Sequence, residues 1–210
     1  MQNQSPVHES ATELVGMPPA DSNITDLIVA SCADRPDAPV YAVRNGAGGW
    51  VDVHFTAFLT QVRAVAAGLI ARGVQPGDRV GLFSPTSYAW AVLDQAVWFA
   101  GAVSVPIYET SSATQVAWIV EDADVCAVVA GDESLVKTVR DAVHREHLPE
   151  LRGVWVMDVA GGEPGSGLDE LAALGADVSD EDLEARRSAA NLEDLATIIY
   201  TSGTTGRPKG

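Results

Sequence analysis

Two periods of apolar residues divide this chain, and the places where one gives way to the other mark its elements. Residues 1–21 show neither period; they are polar, contain Pro6, Pro18 and Pro19, and read as a loose N-terminal arm ahead of a single unit over 22–210. Between 23 and 31, Ile24, Leu27 and Ile28 share one helical face. Residues 40–43 and 50–53 are short β-prone runs on either side of Asn45-Gly46-Ala47-Gly48-Gly49, the pattern of a β-hairpin. Thr56 is placed to cap a long helix with Phe58, Leu59, Val62, Val65, Ala66, Leu69 and Ile70 on its stripe, and Gly73 is placed to end it.

From residue 79 the period switches regularly. Strands are predicted over 79–84, 103–108, 125–130 and 154–157. Helices are predicted between them over 87–100, 112–122 and 132–147, with Ser112 and Gln115 spaced as a capping box. Short apolar strands separated by helical patterns predict an α/β fold, a mostly parallel sheet flanked by helices on both faces. On that reading Val80, Val105, Val128 and Val156 are core residues. Residues 160–167 read as a Gly/Pro-rich surface loop, followed by short acidic helices over 168–175 and 180–190.

The last apolar run, 196–200, predicts one more buried strand, and the loop after it carries the chemistry. Thr201-Ser202-Gly203-Thr204-Thr205-Gly206-Arg207-Pro208-Lys209-Gly210 combines close-approach glycines, hydroxyl donors and one mobile cation. Backbone N–H groups in such a loop can form a concave anion site. The candidate phosphate-binding residues are Thr201, Ser202, Gly203, Thr204, Thr205, Gly206 and Lys209. The common P-loop is excluded, since it needs G-x-x-x-x-G-K-[ST] and here Arg207 and Pro208 separate Gly206 from Lys209. The glycines alone read equally well as a solvated turn; the ordered set with Pro-Lys-Gly behind it is more specific.

Composition narrows the classes. Net charge is −16 over 210 residues, against a nucleic-acid partner and against a polybasic membrane anchor. Much of it is local: 158–194 holds 11 acidic residues against Arg186 and Arg187, a net of −9. Cys32 and Cys126 are the only cysteines, and Cys126, inside a β-like run, reads as a buried free thiol that suits a reducing cytoplasm. No leader pattern and no apolar run of membrane-spanning length are present, which is compatible with peripheral membrane contact at most.

Other candidates read as structural first. His144 and His147 lie three apart near a helix end without a matching Cys or carboxylate partner, so no metal ligands are assigned. His54 reads as structural, and Glu121, Asp122 and Asp124 as a solvated helix end. Tyr88, Trp90, Trp98 and Trp118 could line a ligand tunnel, but their spacing says core packing. Glu109-Thr110-Ser111-Ser112 follows a strand's carboxyl end and reads equally as cap chemistry or as a site wall.

The string Tyr200 to Gly210 resembles the phosphate-loop signature of the adenylate-forming superfamily, which includes acyl-CoA synthetases, luciferases and the adenylation domains of peptide synthetases. Val105-Pro106-Ile107-Tyr108-Glu109-Thr110-Ser111-Ser112 resembles the bacterial long-chain fatty acid–CoA ligase branch. The resemblance covers residues 20–210 by order of elements. It implies a parent enzyme that uses ATP, Mg²⁺ and CoA to turn a fatty acid into acyl-adenylate and then acyl-CoA. It implies that residues 22–210 are the N-terminal portion of the large AMP-binding domain. The adenine, Mg²⁺ and catalytic-lysine sites are then expected downstream of Gly210, and a chain cut there is expected to be inactive alone, with residues 203–210 mobile. Two alternatives stay open: the same superfamily acting on an aryl or amino acid, or a non-catalytic nucleotide- or partner-binding module.

Overall fold

Strands that are apolar on both sides need covering on both sides, and the computed structural model shows how this chain covers them; it describes residues 16, 18–45, 48–158, 166–202 and 208–210. Of the arm expected over 1–21, residues 1–15 and 17 lie outside the described residues. Strands β3 (Arg79–Phe83), β4 (Val103–Ile107), β5 (Val125–Ala130) and β6 (Val154–Val156) form one parallel sheet in the order β4-β3-β5-β6. Side chains alternate between its faces. Val80, Leu82 and Val129 join one core, with residues of α2 (Phe55–Ala71), α3 (Tyr88–Phe99), α6 (Ser166–Ala173) and α7 (Asp180–Ala189). Phe83, Val105, Val128 and Ala130 join the other, with residues of α4 (Ala113–Asp122) and α5 (Glu133–Arg145).

Local signals explain most boundaries. Ser87 caps α3 by accepting the Trp90 N–H at 3.1 Å, and Asp132 caps α5 by accepting those of Ser134 and Leu135 at 2.8 and 3.0 Å. Both arms of the predicted capping box at Ser112 and Gln115 are present. Gly73 follows α2 with φ +85, a left-handed conformation that favours glycine after a helix. The hairpin β1 (Pro39–Arg44) with β2 (Trp50–His54) forms as expected.

Several boundaries differ from expectation for tertiary reasons. The first helix, α1 (Asp26–Asp34), starts later because Asn23 is engaged elsewhere. Its amide donates to the carbonyls of Arg187 and Ala190 at the end of α7, and its Oδ1 accepts from the Thr25 N–H. Thr56 does not cap α2; it lies within the helix, and its hydroxyl bonds the Pro36 carbonyl at 3.0 Å. Val80, Val105 and Val128 are fully buried, whereas Val156 is only half-buried because β6 is a three-residue edge strand. Cys126 is a free thiol but half-buried, and burial is the main cause that raises its pKa.

The expected strand at 196–200 is reduced to a single parallel bridge, Thr197 to Ser104. It is held tightly on that side: Ser104 N–H donates to Ala196 O at 3.0 Å and Ile198 N–H to Ser104 O at 2.9 Å. The Trp98 indole N–H also donates to Ala196 O, at 2.6 Å. Leu195 and Ile199 are exposed, and among the described residues this stretch pairs with β4 alone.

Candidate functional site

Parallel strands all point the same way, so their outgoing loops gather at one edge. The loop after β3 leads to α3 on one face, while those after β4 and β5 lead to α4 and α5 on the other. Strand ends that part in this way leave a crevice where α/β sheets bind ligands. At this edge the Gly131 N–H donates to Phe83 O at 2.9 Å, and the Ser111 N–H to Tyr108 O, also at 2.9 Å. Tyr108 itself is exposed.

The predicted loop arrives at the same edge. Continuing the Ser104–Thr197 register places Tyr200 level with Ile107, so Thr201 lies just past the carboxyl end of β4. There β7 (Thr201–Ser202) pairs antiparallel with β8 (Pro208–Lys209), Thr201 opposite Lys209 and Ser202 opposite Pro208. Gly203, Thr204, Thr205 and Gly206 lie outside the described residues. Thr201 and Lys209 are thus brought side by side, and both are exposed. Among the described residues no carboxylate pairs with Lys209. Of the segment expected to be mobile, residues 203–207 lie outside the described residues, and Pro208 and Lys209 pair in this ladder.

Two side chains of α4 grip the loop's stems. The Trp118 indole N–H donates to Pro208 O at 3.0 Å, and the Tyr200 phenol donates to Asp122 Oδ2 at 2.5 Å. Tyr200 is buried; burial first and the Asp122 carboxylate second raise its pKa well above the ordinary phenol value. Gly210 completes the packing: a Cβ there would sit 2.8 Å from Ile198 Cγ2 and from the Tyr200 ring. The last glycine of the motif is therefore required by close approach.

The remaining candidates fall out as structural. His144 and His147 flank a cavity of about 530 Å³ with Arg140, Leu148, Glu150 and Leu151, and among the described residues no three His, Cys, Asp or Glu side chains gather as metal ligands. His54 Nδ1 lies 2.5 Å from Asp37 O. The Tyr88 hydroxyl donates to Gln61 Oε1 at 2.5 Å; burial, then Tyr41, pushes its pKa up to about 12. Glu109 to Ser111 are loop residues beside the cap at Ser112. A cavity of about 610 Å³ is lined by Pro76, Gly77, Trp98, Val103, Arg186 and Leu195. It opens at the strands' amino ends, away from the loop.

Sequence reasoning missed two features. Asp94 is half-buried on α3, and burial raises its carboxyl pKa, against a lowering bond from Ser104. Arg187 is buried at 6% exposure between Glu184, Asp26 and Thr25. Its spacing from Leu183, four positions along one helix face, was the available signal.

Comparison with known proteins places this geometry in a lineage. Residues 28–210 match the family described as AMP-binding enzyme. Over 188 residues the chain is 45% identical to the long-chain-fatty-acid–CoA ligase FadD15 of Mycobacterium bovis, covering 90% of this chain and 30% of that protein. It is 34% identical over 172 residues to a Rhodococcus jostii 3-[(3aS,4S,7aS)-7a-methyl-1,5-dioxo-octahydro-1H-inden-4-yl]propanoyl:CoA ligase, covering 78% of this chain and 33% of the relative. Among solved structures, a long-chain-fatty-acid–CoA ligase from Archaeoglobus fulgidus superposes with TM-score 0.70 at 22% identity, over 97% of this chain and 38% of its own, a likeness of fold. The N-terminal domain of FACL13 from Mycobacterium tuberculosis gives 0.68 at 25% identity, over 90% and 43%. The chain spans about a third of the length of the curated relatives it matches.

Proposed function

The chain belongs to the AMP-binding enzyme family, and on that premise we propose that its parent protein is an ATP-dependent long-chain fatty acid–CoA ligase. In this reading residues 22–210 are the N-terminal portion of the AMP-binding domain. A fatty acid carboxylate oxygen attacks the α-phosphorus of ATP; the bond to the bridging oxygen breaks, and pyrophosphate leaves with the electron pair. The CoA thiol then attacks the acyl carbon, AMP leaves, and the thiol proton passes to solvent. Both steps depend on placing like-charged reactants together, which is a matter of positioning and charge neutralisation.

The observation that carries this proposal is Lys209: exposed, without a carboxylate partner among the described residues, and opposite Thr201 at the carboxyl edge of the sheet. A primary ammonium there suits the β- and γ-phosphates, with the Thr201 hydroxyl and the residues Ser202 to Gly206 completing the assigned set. The acyl class is supported by the name of the FadD15 relative and by the string from Val105 to Ser112.

The deciding measurement is the single-turnover rate of each half-reaction in the full-length parent. Lys209→Ala should slow adenylate formation about ten- to a hundredfold, the value of one charge-assisted contact. Thioester formation from preformed acyl-adenylate should be unchanged, because the β- and γ-phosphates have already left. An untouched adenylation rate would return the loop to a structural turn. A panel of acids run with the wild type tests the acyl class, and preference for an aryl or amino acid over a long-chain fatty acid would overturn it.

A further inference from the structure

We propose that Trp118 is a positioning residue for adenylation, acting on Lys209 through the peptide that precedes it; the inference rests on the assignment of Lys209 to the ATP phosphates. The carbonyl that the Trp118 indole holds at 3.0 Å belongs to the Pro208–Lys209 peptide. That unit is planar, so fixing its oxygen fixes the plane from which the Lys209 Cα departs. On the far side, Gly210 is packed against Ile198 and Tyr200. The backbone before Lys209 is therefore held, that after it runs close to Ile198 and Tyr200, and the lysine side chain stays exposed.

The hairpin needs this external grip. β7 and β8 are two residues each, and Pro208 has no N–H to give to the ladder. A two-residue pair of this kind has little stability of its own. Helix α4 supplies what is missing from two side chains one turn apart: Trp118 on the outgoing stem, Asp122 on Tyr200 of the incoming stem. The helix that carries them is fixed independently, by its capping box at Ser112 and by buried Val116, Ala117, Ile119 and Val120. Trp118 falls between those four buried positions, half-buried, with its ring packed against the core under α4 and its indole N–H directed to the Pro208 carbonyl.

The test uses full-length parent enzyme, palmitate, ATP and CoA, with Trp118→Phe, Lys209→Ala and the double variant. Trp118→Phe keeps an aromatic ring and removes the donor. It should slow single-turnover adenylation about three- to tenfold, the range for one neutral hydrogen bond. It should leave thioester formation from palmitoyl-adenylate and the melting temperature unchanged. On the Lys209→Ala background the same substitution should cost nothing more, because the group it positions is gone. Equal slowing of both half-reactions, an additive double variant, or a Trp118→Phe protein that does not fold would each make Trp118 a packing residue and overturn the inference. Slow Lys209→Ala with wild-type Trp118→Phe overturns the positioning role alone. Wild-type adenylation by Lys209→Ala instead overturns the phosphate assignment.

Discussion

Arg187→Ala should destabilise the fold more than any surface charge deletion, and the structure says by how much. The guanidinium donates to Glu184 Oε1 at 2.9 and 2.6 Å, to Thr25 Oγ1 at 2.8 Å and to Asp26 Oδ1 at 2.5 Å, which ties α7 to α1. Its carbon lies 6.0 Å from the Phe99 ring centre. Removing one partner of a buried ion pair costs about 3–5 kcal/mol. The Asp26 and Glu184 side chains keep 40% and 47% exposure, so water rehydrates them and a discount to about 2 kcal/mol is warranted. Lost stem packing on Phe99 adds about 0.5–1 kcal/mol. For a domain of this size the total corresponds to a melting point lower by about 5–12 °C.

The pH dependence has a definite sign. The Asn23 N–H first and Arg187 second hold the Asp26 carboxyl below its ordinary range, and Arg187 is the main cause that holds Glu184 low. Groups depressed in the folded state stabilise it above the ordinary carboxylate range and stop doing so as pH falls through it. The gap in melting temperature between wild type and Arg187→Ala should therefore be widest at neutral pH and narrow below about pH 4. Arg187→Met, which restores the stem, should recover only the packing share. A melting point unchanged at neutral pH, or a gap constant down to about pH 3, would refute the reasoning.

Two further outcomes test the cores and the loop stem. Leu93→Ala removes a fully buried side chain from the core under α2 and α3 and should cost about 2–5 kcal/mol, read from the urea midpoint. In an alkaline titration followed by phenolate absorbance, Tyr88 should ionise only near pH 12, with Tyr41 and Tyr200 also late. Tyr88 and Tyr200 titrating near pH 10, with the fold intact by circular dichroism, would contradict the shielding of these two rings.

The βα alternation was legible because each element carries its own apolar period, and the capping box at Ser112 because it is a local affair of four residues. The start of α1 was not, because Asn23 answers to carbonyls of Arg187 and Ala190 more than 160 positions away. Thr56 misled for a similar reason: the Pro36 carbonyl competes for its hydroxyl. Residue types and order single out Thr201 and Lys209 as candidates, but nothing local says that they face each other across a hairpin. Trp118 packs against the core as its helical spacing suggests, but spacing says nothing of the indole N–H, which goes to a strand 90 positions away.

The bridge between Thr197 and Ser104 also bears on the order in which the protein assembles. Neighbouring strands of the sheet close over one intervening helix or two, as when Arg79 meets Val103, but Thr197 must return to Ser104 across 93 residues. Contacts of long sequence separation form late, since the connecting chain must already be ordered. On a ribosome the sheet can be complete before this stretch is synthesised, and the segment that leads to Lys209 is then laid onto a finished edge. What docks last through few contacts is also what detaches first. The segment from Thr197 to Lys209 can therefore detach by a local excursion while the rest of the domain stays folded, and a triphosphate bound in the proposed way would hold that final step closed.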